Sequence, residues 1–176
     1  ARAGVVLANL PTRASGRELA GMVALAGMRG LFVHRDFAAQ VAAARAEGAE
    51  LARVVEVGGP DTRDLAAAVS ARAGTLPAVS QADLLSINFT GGTTGRPKAV
   101  AVTHGARAAS IAASAGLFGN APGDACIVST PMFHTVGLHV WFGAVIAAGA
   151  CAVPLARWDA ARFLDLAERH AAAAAL

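Results

Sequence analysis

Short β-branched runs alternate along the chain with longer alanine-rich segments whose apolar positions recur at helical spacing. The run GVVLANL, 4–10, predicts a first strand. Ser15-Gly-Arg-Glu18 then has the form of a capping box, and Leu19, Met22, Val23 and Ala26 follow on one helical stripe. GLFVHR, 30–35, and RVVEVG, 53–58, predict two further strands on either side of the helix DFAAQVAAARAEGAE, 36–50. Asp61 to Asp64 opens another helix that runs to about Gly74. This alternation predicts an α/β fold, with helices flanking a mostly parallel sheet.

The periodicity lapses in TLPAVSQAD, 75–83, which reads as a surface linker. It resumes with the strand LLSINFT, a Gly/Thr loop, the strand AVAVT, a helix over about 104–118 and the turn GNAPGD. The strand CIVST, the segment PMFHTVGL, an apolar helix of about four turns and the strand CAVPL come next. A last amphipathic helix, Asp159 to His170, sets Phe163, Leu166 and Ala167 on one face and Asp165 four residues before Arg169. The final AAAAAL stands where a further strand would begin. No internal repeat is present.

With 176 residues, 55% of them hydrophobic, the chain can bury a large core, which excludes a disordered protein. Its net charge of +3 comes from scattered arginines, many near Asp or Glu, without the basic and aromatic stripe of a nucleic-acid binder. Cys126 and Cys151 lie far apart in apolar runs, so buried free thiols in a reducing cytoplasm are expected, with neither a disulfide nor a metal site. The first apolar run is too short, and too soon broken by Pro11, for a signal peptide. The stretch from Val136 to Leu155 approaches the length of a membrane span, but His139, Gly149 and Pro154 divide it into a helix and a strand. A cytoplasmic protein with no integral membrane span is the expectation; an anchor formed by that stretch is the alternative.

The chemistry concentrates in NFTGGTTGRPKAV, 88–100, which holds Lys98, the one lysine of the sequence. Successive glycines let backbone N–H groups converge on an anion, because positive φ costs glycine little. Thr90, Thr93 and Thr94 add hydroxyl donors, and Lys98 adds a charge that reaches a phosphate oxygen. A Walker A loop needs Gly-Lys-Ser/Thr running into a helix, whereas here Pro97 intervenes and a strand follows. Gly and Thr also serve ordinary hairpin turns, but the full string with its lysine favours a polyphosphate.

FTGGTTGRPKAVAVTHG resembles the phosphate-loop signature of the adenylate-forming superfamily, which includes acyl-CoA synthetases, peptide-synthetase adenylation domains and luciferases. PMFHTVGL, 131–138, is similar to that family's next core motif, which begins a helix lining the acyl pocket. The likeness extends over essentially the whole chain, although these two motifs carry it. Gly91 stands where the family usually has Ser or Ala, and Ala99 where it usually has Gly.

The resemblance implies activation of a carboxylic acid by Mg2+-ATP, giving an acyl-adenylate and pyrophosphate, followed by transfer of the acyl group to a thiol, commonly that of coenzyme A. It implies phosphate binding by Thr90, Gly91, Gly92, Thr93, Thr94, Gly95 and Lys98, with Lys98 catalytic, and substrate positioning by His134; no protein metal ligand is implied. His34, His139 and His170 are expected to be structural, and His104 to serve local packing or capping. The family's later acidic motif, its ribose-binding aspartate and its C-terminal lysine have no counterpart in the sequence. Residues 1–176 are therefore expected to be a partial AMP-binding domain without the C-terminal domain, incomplete for catalysis alone. A non-catalytic ATP-binding module, a truncated relative and a peptide-synthetase adenylation domain are the alternatives.

Overall fold

The computed structural model describes residues 3–58, 75–90 and 97–176. They form two compact units, one comprising Ala1–Val79 with Leu85–Ala101 and the other Ser80–Leu84 with Val102–Leu176. The helix expected over 61–74 lies outside the described residues.

In the first unit, β1 (Leu7–Asn9) pairs in parallel with β4 (Leu84–Thr90), and β5 (Lys98–Thr103) flanks β4 on its other side. β1 is shorter than GVVLANL suggests, and Val5 and Val6 are exposed. Among the described residues the parallel pair β2 (Gly30–His34) and β3 (Arg53–Val57) forms its own ladder, in keeping with the mostly parallel α/β architecture expected from the sequence.

The capping box forms: the Ser15 backbone N–H donates to Glu18 Oε2 at 2.7 Å, and the Glu18 N–H donates to Ser15 Oγ at 3.3 Å. It starts α1 (Gly16–Leu25), whose Leu19, Ala20 and Val23 pack against Ala44 and Ala49. A Cβ at Gly16 would lie 2.7 Å from the carbonyl carbon of Ala43, so this helix contact needs a glycine. The helix expected over 36–50 is a short 3-10 turn, Arg35–Phe37, followed by α2 (Ala38–Ala46). It ends before Gly48, whose φ of 92° is open to glycine at little cost.

The second unit is built on β6 (Ala125–Val128), which pairs in parallel with β7 (Cys151–Pro154) on one side and with β8 (Ala174–Ala175) on the other. The alanine-rich end of the chain is thus a strand. β6 is buried on both faces: Cys126 and Val128 pack with Trp141 and Val145, while Ile127 packs with Val153 and Leu166. Cys151, by contrast, is exposed on β7, which corrects the expectation of two buried thiols.

Thr103 caps α3 (His104–Phe118), its Oγ1 accepting from the Ala106 N–H at 3.2 Å. The capping side chain is therefore that of Thr103, while the His104 backbone N–H donates to the Asp83 carbonyl at 3.0 Å. α5 (Ala160–Arg169) is capped by Asp159 and carries the expected Asp165–Arg169 pair at 3.0 Å.

The apolar helix after His134 departs from α-geometry. Val136–Phe142 is π-wound, with the Gly143 N–H donating five residues back to the Leu138 carbonyl, before α4 (Gly143–Ala147) resumes the ordinary repeat. Buried Gly137 and Trp141 stand four residues apart on the inner side of this wider turn. Gly137 lies directly against the Pro131 and Thr130 carbonyls, where a Cβ would clash. Among the described residues, no helix is long and apolar enough to cross a membrane.

Trp141 buries its ring edge-on to Phe118, with centroids 4.9 Å apart, and donates Nε1–H to the Ile127 carbonyl at 2.8 Å. Trp141→Phe, which removes that donor and part of the volume, is expected to cost about 1–3 kcal/mol. Denaturant unfolding checks this, and an unchanged midpoint would remove Trp141 from the stabilising core.

His139, half-buried on the same element, has no hydrogen-bond partner for Nε2. Burial, with a smaller contribution from the Arg107 cation, lowers its pKa to about 4. The unfolded chain, with its histidine near the ordinary value of about 6.5, therefore takes up a proton that the folded protein refuses. Stability from this source is intact above pH ~6.5 and erodes as the pH falls towards 4. The stability difference between wild type and His139→Leu should accordingly shift against the wild type over that window; a pH-independent difference would show that His139 does not titrate this way.

Candidate functional site

β4 alternates its side chains: Ser86 and Asn88 are buried, while Thr90 reaches the exposed end of the strand. The chain returns from the motif loop through Pro97 to β5, which opens on Lys98. Thr90 and Lys98 thus end and begin neighbouring strands of one sheet, on either side of the loop. Gly91, Gly92, Thr93, Thr94 and Gly95 lie outside the described residues. Lys98 is exposed and makes no ion pair among the described residues. A solvated ammonium at this position is free to meet an incoming anion without first breaking an internal pair.

His134 belongs to the second unit. Its backbone N–H closes a turn to the Pro131 carbonyl at 3.0 Å, and its own carbonyl accepts from the Leu138 N–H at 3.1 Å, at the entry to the π-wound helix. Nδ1 accepts from the Val136 N–H at 3.3 Å. In a neutral imidazole that bond assigns the proton to Nε2. Capping and ligand contact are therefore compatible roles, because one nitrogen holds the helix start while the exposed side chain keeps an Nε2–H donor for a carboxylate.

The apolar residues that follow do not form a pocket wall by virtue of being apolar. Gly137, Trp141, Ala144 and Val145 are buried, and Trp141 and Val145 belong to the core above β6. The groove of the first unit lined by Val23, Met28, Arg29, Glu50 and Leu51 contains none of the motif residues.

Several buried polar groups were not singled out by the sequence pattern, among them four on or beside the strands and helix that flank the motifs. Ser86 Oγ and Asn88 Oδ1 in the first unit, and Arg107 Nε and Thr130 Oγ1 in the second, have no hydrogen-bond partner. Ser86 and Asn88 carry a readable signal, since they take the inward positions of a strand whose other residues are mostly apolar. Arg107 carries none, because an arginine among alanines on a helix reads as a solvated one.

The family described as AMP-binding enzyme matches residues 1–175 of the chain. The 3-hydroxybenzoate–CoA ligase of Aromatoleum sp. (strain CIB) is 31% identical over 96% of this chain and 33% of its own length. The 4-coumarate–CoA ligase 5 of Oryza sativa subsp. japonica is 30% identical over 87% of this chain and 29% of its own. Among solved structures, ATP-bound MatB from Rhodopseudomonas palustris superposes with a TM-score of 0.79 at 28% identity, covering 96% of this chain and 34% of that one. A red-emitting luciferase from Phrixothrix hirtus, at 18% identity and a TM-score of 0.84, shares the fold. The chain spans about a third of the length of these relatives. The α/β fold with its mostly parallel strands agrees with that match, and the chain belongs to the AMP-binding, adenylate-forming enzyme family as part of its N-terminal domain.

Proposed function

We propose that this chain supplies the phosphate-binding and part of the acid-binding machinery of an ATP-dependent acid–thiol ligase. The observation that carries the reading is the placement of Lys98 and Thr90 at the two ends of the Gly/Thr loop, with the ammonium exposed and without an ion pair among the described residues.

In the first half-reaction a carboxylate oxygen attacks the α-phosphorus of ATP. The bond from that phosphorus to the bridging β-phosphate oxygen breaks, and pyrophosphate leaves with the electron pair. An anion thus approaches a polyanion while charge accumulates on the leaving group, so fixed cationic and N–H donors around the β- and γ-phosphates favour the transition state. Lys98, with Thr90, Gly91, Gly92, Thr93, Thr94 and Gly95, is assigned to hold that leaving group. Mg2+ enters with the nucleotide, and phosphate oxygens and water suit it as ligands. In the second half-reaction a thiolate, that of coenzyme A in this reading, attacks the acyl carbon and AMP leaves.

His134 is assigned to the acid, its Nε2–H donating to a carboxylate oxygen and holding it for attack. The ligases among the relatives, which by name act on 3-hydroxybenzoate and 4-coumarate, support an acid–CoA ligase over a peptide-synthetase domain.

Lys98→Ala in the full-length protein is expected to lower acid-dependent ATP–pyrophosphate exchange by roughly a hundredfold, with little change in melting temperature because the side chain is exposed. Unchanged exchange would remove Lys98 from the site, and ATP binding without exchange by the wild type would identify a binding module instead. His134→Ala should raise KM for the acid far more than it shifts the unfolding midpoint; the reverse pattern would leave His134 with its capping role alone.

A further inference from the structure

α1 and α2 end in turns of the same kind. The Gly27 N–H donates to the Ala24 carbonyl at 3.2 Å and the Met28 N–H to the Val23 carbonyl at 3.0 Å; the Gly48 N–H donates to the Arg45 carbonyl at 3.0 Å and the Ala49 N–H to the Ala44 carbonyl at 2.9 Å. Both glycines take the left-handed conformation, with φ of 58° and 92°. The first turn leads into β2 and the second into β3, and these strands start side by side with Gly30 opposite Arg53. Residues of both turns line one groove of about 760 Å3.

The groove has an apolar wall and two opposite charges. Val23 is buried, and Met28 and Leu51 pack against the core cluster to which it belongs. Arg29 and Glu50 line the same groove, are exposed, and form no ion pair with each other or with any other described residue. The space over the turns is open, since a Cβ on Gly27 or Gly48 would meet nothing within 4 Å. α1 has no basic side chain in its last turn, so its carbonyl end adds a partial negative charge to the side that Ala24 and Gly27 form. A cavity of this size, apolar with a few charged groups held apart on its wall, has the form of a small-molecule site.

We propose that this groove binds a free α-amino acid with an apolar side chain. Its carboxylate meets the two parallel N–H donors of the Arg29 guanidinium, its ammonium meets the Glu50 carboxylate, and its side chain lies over Val23, Met28 and Leu51. A zwitterion answers both charges at once. A phosphate or a simple acid would bring its anion towards Glu50 with nothing to offset the repulsion, and a simple amine would leave Arg29 unmatched. The lining residues include none of the Gly/Thr loop or of PMFHTVGL, so the site shares no side chain with the one assigned to ATP and the acid, and it does not rest on the ligase reading.

The test is calorimetric titration of the full-length protein with L-leucine, with L-leucinamide, which keeps the ammonium but lacks the carboxylate, and with 4-methylpentanoate, which lacks the ammonium. The wild type should bind L-leucine more tightly than either. Arg29→Met should weaken L-leucine roughly five- to tenfold and leave L-leucinamide unchanged, whereas Glu50→Gln should weaken both by a similar factor. Ala52→Trp, which fills the groove from an exposed position, should abolish L-leucine binding. Absence of L-leucine binding at millimolar concentration, equal affinity for L-leucine and L-leucinamide, or L-leucine binding that survives Ala52→Trp would overturn the site.

Discussion

The hydrogen bond from Trp141 Nε1 to the Ile127 carbonyl is the contact on which the arrangement of the second unit depends. β6 is the middle strand of an all-parallel sheet, so both its faces must be covered by apolar side chains, and Cys126 and Ile127 are fully buried in consequence. An indole pressed onto such a strand must find an acceptor for its N–H or lose the stabilisation that its burial brings. Donating to the strand itself meets that need. It also fixes how the π-wound segment is rotated about its axis, and therefore where His134 and His139, on the same stretch of chain, can present their rings. Gly137 tightens the same constraint from the other end, since only a residue without a Cβ lets the helix start against the Thr130 and Pro131 carbonyls.

The parts of this architecture that were legible in the sequence are those decided by neighbours a few residues away. Ser15 with Glu18, Thr103 before α3, and Asp159 before α5 are side chains satisfying the free N–H groups of the next turn, and the spacing alone announces them. The phosphate-loop string and PMFHTVGL are equally local, which is why the family was readable before any tertiary contact was known.

What escaped the sequence depends on partners far along the chain. The π-winding of Val136–Phe142 follows from seating Gly137 and Trp141 together against β6 and the turn after it, and an apolar run by itself gives no sign of that. β1 is short because it finds only three partners, Ser86 to Asn88, leaving Val5 and Val6 in solvent despite their strand-forming character. Cys151 sits in an apolar sequence yet on an exposed position of β7, since the run alone does not say how well its strand is covered.

Lys98 and Arg107 have no acidic partner among the described residues, and they show how differently two such cations behave. Lys98 is solvated, so water compensates its charge until a phosphate displaces it, and the free protein loses little by keeping it unpaired. Its value lies in being available. Arg107 is almost wholly buried and its Nε has no hydrogen-bond partner, so burial lowers its pKa and the fold carries the cost of holding the charge there. The same loss of water acts on His139, where burial lowers the pKa to about 4, so that its imidazole avoids the cost by staying neutral, an escape that the guanidinium of Arg107 does not have.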